Sequence, residues 1–245
     1  MKSLKHALYN QLAGYYDLIY SRKGYKAEAT ILRRLIRQNV NTRGKDLLEV
    51  ACGTGKYLEQ LEPHFTCRGI DLNAAMLRVA KGRLKKTILQ TADMRSFDLR
   101  LQFDVVLCLF NSIANLRTYT ELRRTMRTFS QHLKPGGLLI LGSWLNPGEF
   151  VPGVSRLFTY ESDQIKIARI DGSKQKGNRA IVDFHWLISE KGKRIKYVPH
   201  DLHELTLFSH KQYMDAIRLA KLKPRFLKGE GSPMGRLYLA SKAKS

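Results

Sequence analysis

The sequence predicts an α/β fold in which helices cover both faces of an open, mostly parallel sheet, with an antiparallel β-meander inserted after it. Three observations lead to this fold class. Short apolar strands alternate with amphipathic helices over residues 28–144. Residues 103–110 (FDVVLCLF) are almost continuously apolar, as in a central strand that is covered on both faces. Residues 150–208 contain strand-like stretches separated by turn-rich segments.

The first half of the chain supplies the elements of the parallel sheet. Residues 28–38 place apolar side chains three and four positions apart, which predicts a helix. The predicted strands cover residues 46–50, 66–71, 87–90, 103–110 and 138–144. The helices between them begin at Lys56, after the N-cap Asn73, and after Thr118, which is predicted to form a capping box with Glu121. Residues 135–137 (PGG) predict a turn before the last strand.

The second half of the chain supplies the meander and the closing elements. The predicted meander strands cover residues 164–170, 180–189 and 194–207, with turns at 171–178 and 190–193. Ser209 and Gln212 predict a second capping box, for a helix that ends at Ala220. Two short strands, around 225–228 and 236–240, close the chain.

The balance of charge is strongly basic. The chain has 43 Lys and Arg against 21 Asp and Glu, a formal net charge of +22. The excess is spread along the sequence, so it is compatible with polyanions, phosphorylated substrates or acidic membranes, and equally with a solvated basic surface.

The cysteines and the apolar runs indicate the compartment. Cys52, Cys67 and Cys108 have neither the spacing of a zinc site nor that of a disulfide framework. The longest apolar run, residues 105–110, is far shorter than a membrane span. We therefore expect a soluble cytoplasmic protein with no membrane partner and no metal site.

A glycine-rich loop follows the first strand of the sheet. In the segment 49–55 (EVACGTG), Gly53 and Gly55 allow close approach of a ligand to the backbone at the start of a helix. Asp71 ends the next strand, at the spacing where an acid contacts ribose hydroxyls. Leu58 replaces the third glycine of a dinucleotide site, which favours an adenosine ligand without a pyrophosphate. In the alternative interpretation, the glycines only turn the chain and Asp71 only caps a helix.

Three further side chains are placed to contact an adenine ring. Asp93 comes just after the third strand, where its carboxylate could accept a hydrogen bond from the adenine amino group. Met76 and Leu109 are placed to flank the ring, although both residue types commonly belong to a core.

Five runs in order resemble the class I S-adenosylmethionine-dependent methyltransferases. They are residues 47–55 (LLEVACGTG), 69–77 (GIDLNAAML), 91–99 (TADMRSFDL), 103–116 (FDVVLCLFNSIANL) and 133–144 (LKPGGLLILGSW). A narrower resemblance, to the N,N-dimethyltransferases of nucleotide-linked amino sugars, rests on residues 16–20, 23–25, 28–29, 203–208 and 233–236. It covers nearly the whole chain and implies a Rossmann-like sheet with S-adenosylmethionine as the cofactor.

The resemblance also implies which residues hold the cofactor. Tyr16 belongs to a helical lid over it, Ala51 and Gly53 line its methionine half, and Asp71 holds its ribose. Asp93 and Met94 contact its adenine. Beside this family pattern, the tyrosines at positions 15, 16, 20 and 25 are able to shield a sulfonium by cation–π contact, and among them Tyr16 and Tyr25 are predicted cofactor contacts.

For the acceptor, the resemblance implies a second set of residues. Arg236 faces the nucleotide phosphates, and Tyr9 contacts the amine and is the predicted catalytic residue. Asn115 stands where some members have a catalytic histidine, and Trp144 lies in a segment where the family has Glu-Pro-Trp-Trp but this chain has Gly142-Ser-Trp-Leu145. Asn115 and Trp144 are thus expected to contact the acceptor.

The same resemblance divides the chain. Residues 1–40 are expected to form the lid, 41–145 with 205–245 the cofactor-binding domain, and 146–204 the inserted β subdomain. The inserted sheet is expected to form one wall of the sugar pocket and the interface of a homodimer.

Several functions remain open at this point. The first is a methyltransferase for the amine of a small, phosphorylated or nucleotide-linked acceptor; the alternative is an RNA or protein methyltransferase that docks through the basic surface. A third is a regulator or a nicotinamide enzyme on the same fold. The amine must lose a proton before it attacks, and water, Tyr9, Asn115 through a water, or His185 could take it.

Overall fold

The computed structural model describes residues 6–228 and 234–244. Residues 1–5 of the predicted lid and Pro233 of the carboxyl-terminal motif lie outside these ranges. The strands are β1 (Asp46–Val50), β2 (Thr66–Asp71), β3 (Ile88–Thr91), β4 (Phe103–Cys108), β5 (Leu133–Ser143), β6 (Arg156–Glu161), β7 (Ile165–Lys176), β8 (Arg179–Glu190), β9 (Lys196–Thr206), β10 (Leu222–Leu227) and β11 (Arg236–Lys242). The α-helices are α1 (Tyr16–Ile19), α2 (Tyr25–Asn39), α3 (Lys56–Leu61), α4 (Ala74–Arg83), α5 (Tyr119–Gln131) and α6 (His210–Leu219).

The larger sheet has seven strands in the order β10-β11-β5-β4-β1-β2-β3. The strands from β5 to β3 are parallel, and β11 and β10 add two antiparallel strands at one edge. This confirms the predicted mostly parallel sheet, with β4 at its centre and buried along its whole length. The strand ends at Cys108 rather than at residue 110, because Phe110 and Asn111 adopt left-handed backbone conformations, with φ of 51° and 62°.

Helices cover both faces of this sheet. Val105 and Leu107 of β4 face a core formed with α2, α3 and α4, whereas Val106 and Cys108 face a core formed with α5 and α6. This alternation is what a strand between two helical layers requires. Within the described residues, no helix combines the length and apolar character needed to span a membrane.

The predicted turn at residues 135–137 is wrong. These residues lie inside β5, where the register against β4 changes between Phe103 and Val105. Gly136 has φ of +80°, and a Cβ there would approach the Asn41 carbonyl oxygen to 3.0 Å. The turn-forming residues therefore build a bulge that keeps the strand continuous.

The smaller sheet is an antiparallel meander in the order β6-β7-β8-β9. The sequence did not predict β6, and it predicted a turn at 171–178 where β7 in fact continues to Lys176. The hairpin is held by the backbone ladder with β8 up to the pair Lys176 and Arg179. Polar, exposed residues can occupy such a ladder because its hydrogen bonds do not depend on side-chain burial.

The two predicted capping boxes differ. Ser209 and Gln212 form the complete box at the start of α6. At α5, the Thr118 side chain accepts from the Glu121 backbone, but the Glu121 carboxylate accepts from the backbone N–H of Arg117 instead of returning to Thr118. Arg95 Nη1 donates to the other oxygen of this carboxylate, at 2.7 Å.

The amino-terminal segment lies between the two sheets. It contains the 3₁₀ turns Ala7–Tyr9 and Ala13–Tyr15 and the short helix α1. Its apolar residues pack against Met76 of α4 and against Phe184 and Trp186 on the inner face of the smaller sheet. The segment is thereby held beside the carboxyl ends of β1 and β2.

Candidate active site

The loop after β1 is shaped for close approach of a ligand. Ala51, Gly53 and Gly55 all have positive φ, at 55°, 56° and 76°. Asp71, at the end of β2, fixes this loop because its carboxylate accepts from the backbone N–H groups of Gly53 and Asn73, both at 2.8 Å. Burial raises the pKa of Asp71, and these hydrogen bonds act in the opposite direction.

Glu49 is a second buried acid beside the loop. It is 2% exposed, and its Oε2 has no hydrogen-bond partner in the described part of the chain. Burial, together with the nearby charge of Asp71, raises the pKa of Glu49 well above its usual range. An unsatisfied buried carboxyl is costly, so this end of the sheet is suited to a ligand that brings hydrogen-bond donors or positive charge.

Asp93 and Met94 follow β3, as predicted, but Asp93 is already paired. Arg95 Nη2 donates to the Asp93 Oδ2 at 2.6 Å, its Nε lies 3.0 Å from both Asp93 oxygens, and its Nη1 donates to Glu121. The Arg95 hydrogen bonds lower the pKa of Asp93, so its carboxylate is ionised at neutral pH. Met94 packs at the edge of the α5 and α6 core. Adenine contact by these two residues stays a prediction.

Met76 and Leu109 are both 2% exposed. The Met76 methyl would lie 3.4 Å from a Cβ placed on Gly53, so Met76 lies directly beneath the glycine loop. Leu109 follows β4 and lines a cleft at the carboxyl ends of β4 and β5. Both residues are therefore core side chains that also border the site.

A group of aromatic rings lies along the amino-terminal segment. The Tyr16 ring lies 6.2 Å from that of Tyr9 and 4.8 Å from that of Tyr20, and the Tyr25 ring lies 5.0 Å from that of Tyr57. Burial raises the pKa values of Tyr9, Tyr16 and Tyr25. These hydroxyls are therefore protonated at neutral pH, and Tyr9 is suited to hydrogen bonding but not to accepting a proton as a phenolate.

The contacts that hold this segment to the glycine loop were not predicted from the sequence. Asp17 of α1 forms an ion pair with Arg83 of α4 and accepts from the Thr54 hydroxyl at 2.6 Å. Arg83 also donates to the Thr54 carbonyl at 2.6 Å. The three residues are far apart in sequence, so only the fold brings them together.

The sequence also did not predict that Asp201 and His203 form a buried pair beside the site. The Asp201 carboxylate is fully buried and accepts from the backbone N–H groups of Ala7 at 2.7 Å and Leu8 at 3.0 Å, and from the Trp186 indole at 3.2 Å. His203 lies 3.1 Å from Asp201, and its ring meets the Tyr9 ring edge-on at 5.2 Å. From the sequence, residues 203–208 were identified only as one of the runs that resemble the family.

The cleft at the ends of β4 and β5 has a volume of about 270 Å³. Its walls combine two cations, aromatic rings and small residues, and they include Lys23, Tyr57, Leu109, Phe110, Ser143, Trp144 and Arg236. The Ser143 hydroxyl is buried without a hydrogen-bond partner among the described residues. Lys23 is paired with Glu28 at 2.6 Å and Arg236 with Glu149, and Trp144 packs on Phe150.

Two sequence-predicted residues lie outside this arrangement. Asn115 ends the 3₁₀ turn Ser112–Asn115, is exposed, and donates to the Ser112 carbonyl at 3.0 Å. His185 lies on the outer face of the smaller sheet, whereas its neighbours Phe184 and Trp186 face the amino-terminal segment. His185 is therefore not placed to take a proton from a substrate in the cleft, and the sequence hypothesis that it could do so is wrong.

Comparison with known proteins agrees with this geometry. Residues 47–137 match a family described as a methyltransferase domain. The chain is 34% identical to the dTDP-3-amino-3,6-dideoxy-alpha-D-glucopyranose N,N-dimethyltransferase of Streptomyces fradiae, over 92% of this chain and 88% of that protein. The crystal structure of Streptomyces venezuelae DesVI is similar with a TM-score of 0.88 and 33% identity, covering 95% of this chain and 98% of that one. The structure of S-adenosylmethionine-bound CalS10, an amino pentose methyltransferase from Micromonospora echinaspora involved in calicheamicin biosynthesis, has a TM-score of 0.82 and 31% identity and covers 93% of this chain and 96% of that one.

Proposed function

The chain belongs to the family of S-adenosylmethionine-dependent N,N-dimethyltransferases of nucleotide-linked amino sugars, and we propose that it methylates the amino group of a sugar carried on a nucleotide. The observation that carries this proposal is that the likeness extends over nearly the whole chain. The matches cover 92% and 95% of this chain, well beyond the methyltransferase domain matched at residues 47–137.

The loop and its acids fit the cofactor. A carboxylate has about four acceptor positions, so Asp71 can hold the loop and still accept from two ribose hydroxyls. Ala51 and Gly53 would line the methionine half, with Glu49 as a buried acceptor nearby. When bound, S-adenosylmethionine supplies the activated methyl group and its leaving group. Met76 and Leu109 would border the adenosine.

The cleft fits a phosphorylated acceptor. Lys23 and Arg236 line it, with Lys23 paired with Glu28 and Arg236 with Glu149. An arginine fork binds phosphate through two parallel hydrogen bonds, which would fix the nucleotide end of the substrate. The unpartnered Ser143 hydroxyl and the Trp144 ring supply a polar and an apolar contact for the sugar.

Orientation of the amine is the main task of the protein. Alignment of two reacting groups can lower a barrier by about 7–11 kcal/mol in well-placed systems. Because Tyr9 keeps its proton, we assign to it a hydrogen bond that orients the amine, with the released proton passing to water. Tyr16, Tyr20 and Tyr25 would shield positive charge near the methyl group.

Three further expectations belong to this proposal. Residues 1–40 would act as the lid, 41–145 with 205–245 as the cofactor-binding domain, and 146–204 as the inserted subdomain. A homodimer through the smaller sheet is supported by exposed apolar side chains on its outer face, at Leu157, Ile170, Leu187 and Tyr197. A cytoplasmic location is supported by the three unpaired, buried cysteines.

A methyl-transfer screen with labelled cofactor tests the function. The acceptors are dTDP-linked 3-amino and 4-amino sugars, the same sugars without nucleotide, bulk RNA and protein. We expect labelling of a nucleotide-linked sugar only. Labelling of RNA or protein with no sugar turned over would support the alternative, a methyltransferase docked through the basic surface.

A further inference from the structure

A cluster of two histidines and one aspartate lies on the outer face of the smaller sheet. Asp183 and His185 are two residues apart on β8, so their side chains lie on the same face. His200 of β9 lies beside them, with its Nδ1 3.0 Å from the Asp183 Oδ2. The His185 Nε2 lies 3.5 Å from the same oxygen.

A β-bulge brings the third residue into the cluster. Trp186 pairs with Val198 and Phe184 with Asp201, so two residues of β9, Pro199 and His200, stand opposite His185 alone. His200 has φ of 55°, a conformation that costs about 1–2 kcal/mol for most residues. The bulge leaves Asp201 on the inner face, where it holds the amino-terminal segment, and His200 on the outer face.

The spacing of the ligand atoms matches metal coordination. One nitrogen from each histidine and the carboxylate oxygen lie within 4.8 Å of one another. Ligand atoms that bind zinc at about 2.0–2.1 Å in a tetrahedron lie roughly 3.4 Å apart, close to the two measured separations from Asp183. The Asp183 Oδ1 is also buried without a hydrogen-bond partner among the described residues, whereas Oδ2 faces both histidines.

A second contact orients one of the histidines. The Tyr197 hydroxyl lies 3.1 Å from the Nδ1 of His185, on the opposite side of the ring from the Nε2 that faces Asp183. Metal-bound histidines usually use their second nitrogen in this way, which fixes the ring.

We propose that Asp183, His185 and His200 bind a divalent transition metal ion of the zinc class. Two imidazoles and one carboxylate favour such an ion over magnesium or calcium, which take oxygen ligands. Three protein ligands leave a fourth coordination position open. The ion would join β8 to the bulge of β9 and so stabilise the strand that carries Asp201. This proposal differs from the sequence expectation of no metal site, which considered only cysteine spacing.

Cobalt(II) titration of the chelator-treated, full-length protein without a polyhistidine tag tests the site. We expect one Co²⁺ per chain, with visible d–d absorption and displacement by Zn²⁺. His185→Gln and His200→Asn should each abolish this binding, and Asn is chosen at position 200 because it tolerates positive φ. Tyr197→Phe should weaken binding about 10-fold. His64→Gln, at a solvent-exposed histidine in the loop between α3 and β2, should bind as the wild type does.

Further measurements separate a specific site from loss of folding. Zn²⁺ should raise the melting temperature of the wild type and of His64→Gln but not of His200→Asn, whose circular dichroism should be unchanged. Methyl transfer should persist in the metal-free protein, since the cluster lies on the opposite face of the sheet from the amino-terminal segment. No stoichiometric binding by the wild type, or equal binding by His185→Gln and His200→Asn, would overturn the proposal.

Discussion

At the scale of single residues, the site depends on a few buried polar groups. They stabilise the fold and are also proposed to contact the ligand. Asp71 holds Gly53 and Asn73 through backbone hydrogen bonds, and the same carboxylate is the proposed ribose contact. Glu49 remains without a partner at its Oε2 among the described residues. A buried polar group without a partner destabilises a protein unless a ligand completes its hydrogen bonds, so Glu49 is suited to contact the cofactor expected at this end of the sheet.

Replacement of Asp71 tests the ribose assignment. In Asp71→Asn the amide oxygen can still accept from one backbone N–H, so the loop is largely kept, but the charged acceptor is lost. Hydrogen bonds to a charged group contribute about 1.5–3 kcal/mol, so we expect S-adenosylmethionine to bind roughly 10- to 100-fold more weakly by calorimetry. Asp98→Asn, at a 72% exposed side chain, is the matched control. Equal affinity in Asp71→Asn and wild type would contradict the assignment.

Replacement of Tyr9 tests whether its hydroxyl orients the amine or removes its proton. Because burial raises the pKa of Tyr9, the phenol stays neutral across the usual assay range, and its ionisation lies above it. We expect Tyr9→Phe to lower kcat while leaving both the affinity for S-adenosylmethionine and the shape of the pH–rate profile unchanged. Loss of a limb of that profile in Tyr9→Phe would instead assign proton transfer to this residue.

At the scale of elements, regular structure with strong local signals was predictable and irregular structure was not. The limits of β1, β2 and α3 follow from apolar runs bounded by glycine and capping residues. The bulge in β5 was missed because Pro and Gly give the same local signal in a turn and in a bulge. The buried pair Asp201 and His203 could not be found either, because its partners, the backbone at residues 7–8, are about 190 positions away in sequence.

Asp201 of β9 is expected to hold the amino-terminal segment in its folded conformation. Asp201→Ala leaves two backbone N–H groups and the Trp186 indole without their acceptor, at a cost of about 1–3 kcal/mol for each unsatisfied group. We expect faster hydrogen exchange confined to residues 7–20 and weaker cofactor binding. Asp163→Ala, an exposed aspartate of the same sheet region, is the control. Uniformly faster exchange over the whole chain would show a general loss of stability instead.

Glycines in two elements should respond to alanine in opposite ways. Gly82 lies in α4, and a Cβ placed on it would have no neighbour within 4 Å, so Gly82→Ala should raise the free energy of unfolding by about 0.5–1 kcal/mol. Gly136 has φ of +80° and a close backbone neighbour, so Gly136→Ala should lower it by about 1–3 kcal/mol. Denaturant titration measures both. Equal changes in the two variants would contradict the assigned bulge.

At the scale of the whole molecule, the fold shows which of the basic residues behind the net charge of +22 lie in the cleft. Many of the cations are distributed over the surface, whereas Lys23 and Arg236 lie in the cleft. The fold class and the cofactor loop could be predicted from motifs in the sequence. The pairing of Arg236 with Glu149 could not, because these residues are 87 positions apart in sequence and only the fold brings them together.

The central claim is that the acceptor is a nucleotide-linked amino sugar whose phosphates are bound by Arg236. It is tested most directly by kcat/KM for a dTDP-amino sugar and for the same sugar without nucleotide, in wild type and Arg236→Ala. We expect kcat/KM of the wild type to be much higher for the nucleotide-linked sugar than for the free sugar. In Arg236→Ala, the ratio of the two kcat/KM values should fall roughly 10- to 100-fold because KM for the nucleotide-linked sugar rises. The affinity for the cofactor should be unchanged. Equal use of both sugars by wild type, or the same loss on both sugars in Arg236→Ala, would contradict this account.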